Sequence, residues 1–122
     1  MTTSLAGLYS VLIGLTVVFQ VALILGAPWG HLTQGGAHEG PLPRGARVGA
    51  GLSNVLLVVM GCAILSSAGH WPAWPVWSGW LALGVTGLGM ILNLITPSRA
   101  ERLLWGPVTV MMFLSALGVM LL

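Results

Sequence analysis

The side chains able to do chemistry in this 122-residue chain are few, and they fall in groups. His31, His38 and Glu39 share one glycine- and proline-rich stretch, residues 27–43. A histidine beside a carboxylate could serve as a general base with its orienting partner, or as part of a zinc or iron site. The spacing matches no ligand pattern and a fourth ligand would have to come from elsewhere, so neither metal nor cofactor is expected. Gly35-Gly36 is not a phosphate loop, because no strand precedes it and no lysine follows. Cys62 is the only cysteine and sits in an apolar run, which excludes an intramolecular disulfide and argues against a nucleophile. Arg44, Arg47, Arg99 and Arg102, with Glu39 and Glu101, make up all the formal charge. Four guanidinium forks near two carboxylates suit an anionic partner such as a phosphate, a carboxylate or a lipid headgroup. The plainer reading of helix-end arginines is that they anchor orientation or snorkel to headgroups.

The elements that carry these residues follow from composition. Charged residues are 5% of the chain and hydrophobic ones 57%, with a mean hydropathy of +0.99. A soluble domain is about 25% charged, so this chain belongs in a bilayer, and its hydrophobicity excludes a disordered one. The net charge of +2, with no basic stripe, gives no footprint for nucleic acid. The uncharged stretches 1–38, 48–98 and 103–122 hold one, two and one helices of about 20 residues, the length that crosses a core about 30 Å thick. The middle stretch breaks at Ser66-Ser67-Ala68-Gly69-His70-Trp71-Pro72. The expected fold is all-α, a single integral membrane four-helix bundle with spans near 5–26, 44–67, 76–96 and 99–122. β-Barrel strands are excluded because the apolar runs are continuous rather than alternating. The first helix is expected to be retained, since no positive segment precedes it and Pro28 follows Gly26-Ala27.

Local signals sharpen the boundaries. Ser98-x-x-Glu101 has the spacing of a capping box, with Pro97 just ahead, so the fourth helix starts at 98 or 99. Pro43 suits the first turn of the second helix. Pro107 removes the donor for the Leu103 carbonyl and should bend the fourth helix. All four arginines flank the first and third loops, so the positive-inside rule expects both termini outside and a long cytoplasmic loop between the first two helices. Trp71, Trp74, Trp77 and Trp80 recur every third residue at the opposite interface. They read as an interfacial belt, and less well as a cationic-ligand cage, because no acidic residue accompanies them.

Polar and small residues form stripes at helical spacing: Ser10, Ile13, Thr16, Gln20; Arg44, Arg47, Gly51, Asn54, Val58, Gly61; and Ser78, Ala82, Thr86, Gly89, Asn93. In lipid, such residues mark close backbone approach and interhelical hydrogen bonds, so the stripes should face the bundle. Gln20, Asn54, Asn93 and Thr109 are each expected about 5–9 Å inside the arginine-bearing edge, at about 1.5 Å rise per residue. That layer predicts either a cytoplasm-facing polar pocket or amide groups bonded to one another.

The run Ala27-Pro28-Trp29-Gly30, Gly35-Gly36, Gly40, Leu42-Pro43, Arg44 and Arg47 resembles small four-span bacterial membrane proteins of unassigned function. So does Asn93 with Thr96-Pro97-Ser98, Glu101-Arg102, Trp105 and Pro107-Val108. The resemblance implies four spans in a bacterial cytoplasmic membrane and brings no activity with it. The chain lacks the first-helix glutamate of small multidrug exporters and the Phe-Ser-Thr signature of fluoride channels. Three functions stand open. One is binding or transport of an anionic or amphipathic small molecule or lipid headgroup. The second is an accessory subunit or homo-oligomer whose stripes serve a partner. The third is a membrane enzyme using His31, His38 or Glu39.

Overall fold

A computed structural model of the chain describes all residues except Gln34, Gly35, Ala37 and Glu39. The fold is all-α, with four helices: α1 Thr2–Ile24, α2 Arg44–Ser67, α3 Val76–Ile95 and α4 Arg99–Leu121. All four are long and apolar enough to cross a membrane. They pack in the cyclic order α1, α2, α3, α4, and the α2–α3 seam is the loosest of the four.

Each helix end has a local cause. Ser98 caps α4 by accepting the Glu101 N–H at 3.2 Å, which satisfies one of the orphan donors of the first turn. Pro43 and Pro75 occupy the extended positions just before α2 and α3. The first helix stops at Ile24 because Gly26 takes φ +104°, a conformation costly for residues with a Cβ. Ala27 N–H then reaches back to the Ala22 carbonyl at 2.9 Å. Gly69 (φ +91°) ends α2 the same way, with His70 N–H on Leu65 O. α4 runs unbroken through Pro107, and the Thr109 hydroxyl bonds the nearby Trp105 and Gly106 carbonyls at 2.7 and 3.1 Å.

The main core lies at the end away from the arginines, around Tyr9, Ile64, Ala82 and Ala116. Tyr9 is fully buried, and its hydroxyl meets Thr86 Oγ1 at 2.7 Å across the α1–α3 diagonal. Since Thr86 donates to its own Ala82 carbonyl, Tyr9 is the donor of that bond. Helix contact there depends on small residues: a Cβ on Gly79 would collide with Ser67 Oγ and with Met120 Sδ. A second cluster of Leu23, Leu42 and Ala50 fastens the loop to the arginine-bearing end. The stripes on α1 and α3 do face inward, but Val58 of the α2 stripe is 52% exposed. The buried face of α2 instead runs through Ala50, Met60, Gly61 and Ile64.

Candidate functional site

The described part of the segment between α1 and α2 packs against α4 and the C-terminal end of α1. Gly30 N–H donates to Gly40 O at 2.8 Å, and a Cβ on Gly30 would come within 2.7 Å of that oxygen. The short 3-10 turn Gly30–Leu32 is then tied to α4 twice. Trp105 Nε1 donates to Leu32 O at 2.9 Å, and Ser98 Oγ donates to His31 O at 2.9 Å. Phe19 is flanked by two rings, Trp29 stacked at 5.8 Å and Trp105 edge-on at 4.8 Å. The loop therefore forms a floor, and Leu32 and Thr33 project into the space above it.

That space is a cavity of about 650 Å³ among all four helices. Its polar lining brings together Gln20, Asn93 and Thr109 with Thr16, Thr33 and Glu101. Glu101 is 7% exposed and is the ionisable side chain among the described lining residues. Bilayer-embedded amides commonly bond one another, but here Asn93 Nδ2 donates to its own Gly89 carbonyl at 2.7 Å. Thr16 and Thr109 likewise donate within their own helices. Their acceptor lone pairs, and the Gln20 amide, are left for whatever fills the cavity.

The expected single layer resolves into two levels. Gly51 faces Ile24 and Gly61 faces Ile13 across the α1–α2 contact, which sets Asn54 opposite Gln20. The Tyr9–Thr86 bond sets Asn93 level with Thr16, and the Phe19–Trp105 contact sets Thr109 about level with Leu15. Asn93 and Thr109 are thus about 6–8 Å deeper than Gln20 and Asn54, at about 1.5 Å per residue. Asn54 is outside the lining, and its Oδ1 is buried without a hydrogen-bond partner among the described residues.

The arginines stand apart from the cavity. Arg47 Nε donates to Leu42 O at 2.8 Å and Nη1 to Ile24 O at 3.4 Å. Arg102 Nη1 donates to Thr96 O at 2.8 Å. Each thus caps carbonyls at the end of a neighbouring helix or loop, a role that complements the negative end of the helix dipole. Arg44 and Arg99 are exposed and make no hydrogen bond to described residues. The anion cradle expected of the four is therefore not assembled around the cavity.

The loop candidates do not converge either. His31 is exposed and its carbonyl accepts from Ser98, His38 is half-buried, and neither is among the described residues that line the cavity. Glu39 lies outside the described residues. Among the described residues no group of three or more His, Cys, Asp or Glu could hold a metal.

Sequence reasoning treated Glu101 only as a cap and a rim charge, and missed its place in the cavity wall. The signal was present: Glu101, Trp105, Thr109 and Met112 follow a 4-4-3 spacing and share the cavity-facing side of α4. Comparison with known proteins gives no match: no family model, no curated protein and no solved structure is similar to this chain.

Proposed function

We propose that this chain is an integral protein of a bacterial cytoplasmic membrane, and that it binds an amphipathic small molecule in the cavity between its helices. Both termini lie outside in this reading, with loop 25–43 and the α3–α4 turn at the cytoplasmic face. The observation that carries it is the convergence of Gln20, Asn93, Thr109 and Glu101 on one cavity that also has apolar walls, among them Leu56, Leu57, Met60 and Leu92. Polar groups in a bilayer are costly unless satisfied, and the Gln20 amide and the acceptor lone pairs of Asn93 and Thr109 face this space rather than one another. The lining supplies hydroxyls, amides and a carboxyl, so it favours a hydrogen-bonding head that is neutral or cationic over the anion suggested by the arginine count.

Native mass measurement of the protein extracted in mild detergent tests this. A lipid-like adduct is expected on the parent protein, and it should be lost from the Asn93→Leu/Thr109→Val double variant. Equal adducts on both would refute the cavity as the site. Orientation is tested with single cysteines in a Cys62→Ala background. Those at Pro41 and Arg99 should resist an impermeant thiol reagent in intact cells, whereas one at His70 should react.

The accessory-subunit reading keeps one supporting observation. Gly7 and Gly14 of α1 and Gly84 of α3 are exposed and would meet nothing if given a Cβ, so a partner helix could approach them closely. The same mass measurement reads copy number; a stoichiometric complex without any adduct would favour this alternative.

A further inference from the structure

Resting on the cavity reading above, we infer that the ligand is a single-chain amphiphile whose polar head is not anionic, and that it enters from the bilayer through the α2–α3 seam. A second, apolar groove of about 460 Å³ runs along the same seam between Leu56, Val59, Leu81 and Trp77. Leu56, Met60 and Val85 line both spaces, so the polar cavity continues into the apolar groove. This seam is the loosest of the four between neighbouring helices, and its walls face outward: Leu56 is 47% and Leu92 54% exposed. Nothing soluble has access to those side chains if the helices span a membrane, so what fills the groove comes from the lipid phase.

Depth and polarity specify the shape of the occupant. The apolar groove leads away from Asn93 along α3, past Val85 to Leu81, about 18 Å at about 1.5 Å per residue, which is the length of one extended tail. The head then lies among Gln20, Asn93, Thr109 and Glu101, and the tail lies in a groove with almost no polar surface. No guanidinium lines either space, so an anionic head finds no charge partner among the described residues.

The test uses the full chain in phosphatidylcholine vesicles, with a thiol placed in the cavity by Thr109→Cys in the Cys62→Ala background. N-dodecylmaleimide, itself a single-chain molecule with a small neutral head, is supplied in the bilayer; a sulfonated maleimide is supplied in water. The bilayer reagent should label the cavity thiol, and Val85→Trp should slow it about tenfold, equivalent to about 1.4 kcal/mol of lost space. Leu56→Trp, on the opposite wall, should do the same if Val85→Trp fails to fold. A control thiol made by Leu103→Cys, at a site 67% exposed on α4, should be unaffected by either tryptophan. Monoacylglycerol should protect the cavity thiol, and an alkyl sulfate of equal chain length should protect it less.

Equal or better protection by the sulfate overturns the non-anionic head. Labelling that neither tryptophan slows overturns the lateral route; if the sulfonated reagent also reaches the thiol, the cavity opens to water and the binding reading survives. Failure of both reagents at the cavity thiol, with the control labelled, overturns the cavity itself.

Discussion

Arg47 distinguishes an anion site from a structural clamp, and Arg47→Gln is the substitution that decides. The guanidinium makes one short bond to Leu42 O at 2.8 Å and one long bond to Ile24 O at 3.4 Å. A charge-assisted bond to a carbonyl contributes about 1.5–3 kcal/mol, and the half-buried position of Arg47 argues for the lower end. The long bond adds little as a hydrogen bond, but a cation at the α1 C-terminus gains about 0.3–1 kcal/mol from the dipole. The sum is about 2 kcal/mol, a change of about thirtyfold in the unfolding equilibrium. Equilibrium unfolding in mixed micelles of a mild detergent and dodecyl sulfate, followed by tryptophan fluorescence, measures it. Arg47→Lys should recover part of the loss, since one ammonium can reach one carbonyl but cannot fork to both. Arg44→Gln is the internal control, with an expected change within about 0.5 kcal/mol because its side chain is exposed and unbonded to described residues. If Arg47→Gln leaves stability unchanged while an added anion stabilises only the parent protein, the clamp is wrong and the anion site returns.

Three further substitutions probe the same framework. Asn54→Leu should be neutral or stabilise by about 1–3 kcal/mol in the same unfolding assay, because it removes a buried carbonyl oxygen with no partner; a clear loss of stability would mean that oxygen is satisfied. Trp105→Phe keeps the ring beside Phe19 but deletes the bond to Leu32 O, so about 1 kcal/mol should be lost and amide exchange should quicken at residues 30–33; unchanged exchange there would detach the loop from α4. Gly79→Ala should cost about 1–3 kcal/mol by pushing on Ser67 and Met120, whereas Gly14→Ala, facing open space, should cost nothing measurable.

The described part of the loop is held through the backbone of its histidines: Ser98 bonds His31 O, and His38 O lies close enough to crowd a Cβ at Gly30. The loop's conformation depends on backbone geometry at Gly30 and Gly40 and on the aromatic stack at Phe19. A site that used the loop as a moving part would have to break the Trp105 and Ser98 bonds together. These bonds make the floor and the N-terminus of α4 a single unit.

Much of this arrangement was legible in the amino acids. The four helices were visible because a bilayer imposes a length and an almost complete exclusion of charge, and so few charges leave little freedom in placing the ends. Expected spans of 5–26, 44–67, 76–96 and 99–122 compare with observed helices at 2–24, 44–67, 76–95 and 99–121. The first helix ends at 24 rather than 26 because backbone conformation at Gly26, not hydropathy, decides there. The Ser98 cap was equally readable, being local chemistry over four residues. What the sequence could not decide was direction. Helical spacing placed Arg47 and Arg102 near the polar layer, but a flexible side chain can reach a ligand or a carbonyl, and only packing chooses. Asn54 and Gln20 share a depth, yet the rotation of α2 against α1 turns one away from the cavity and leaves the other in its wall. Glu101 shows the converse: a residue with an ordinary local role becomes part of the cavity wall because α4, held by the loop at Leu32, turns its first-turn face inward. Periodicity specifies a face of a helix; which neighbour that face meets is settled by the fit of four helices at once.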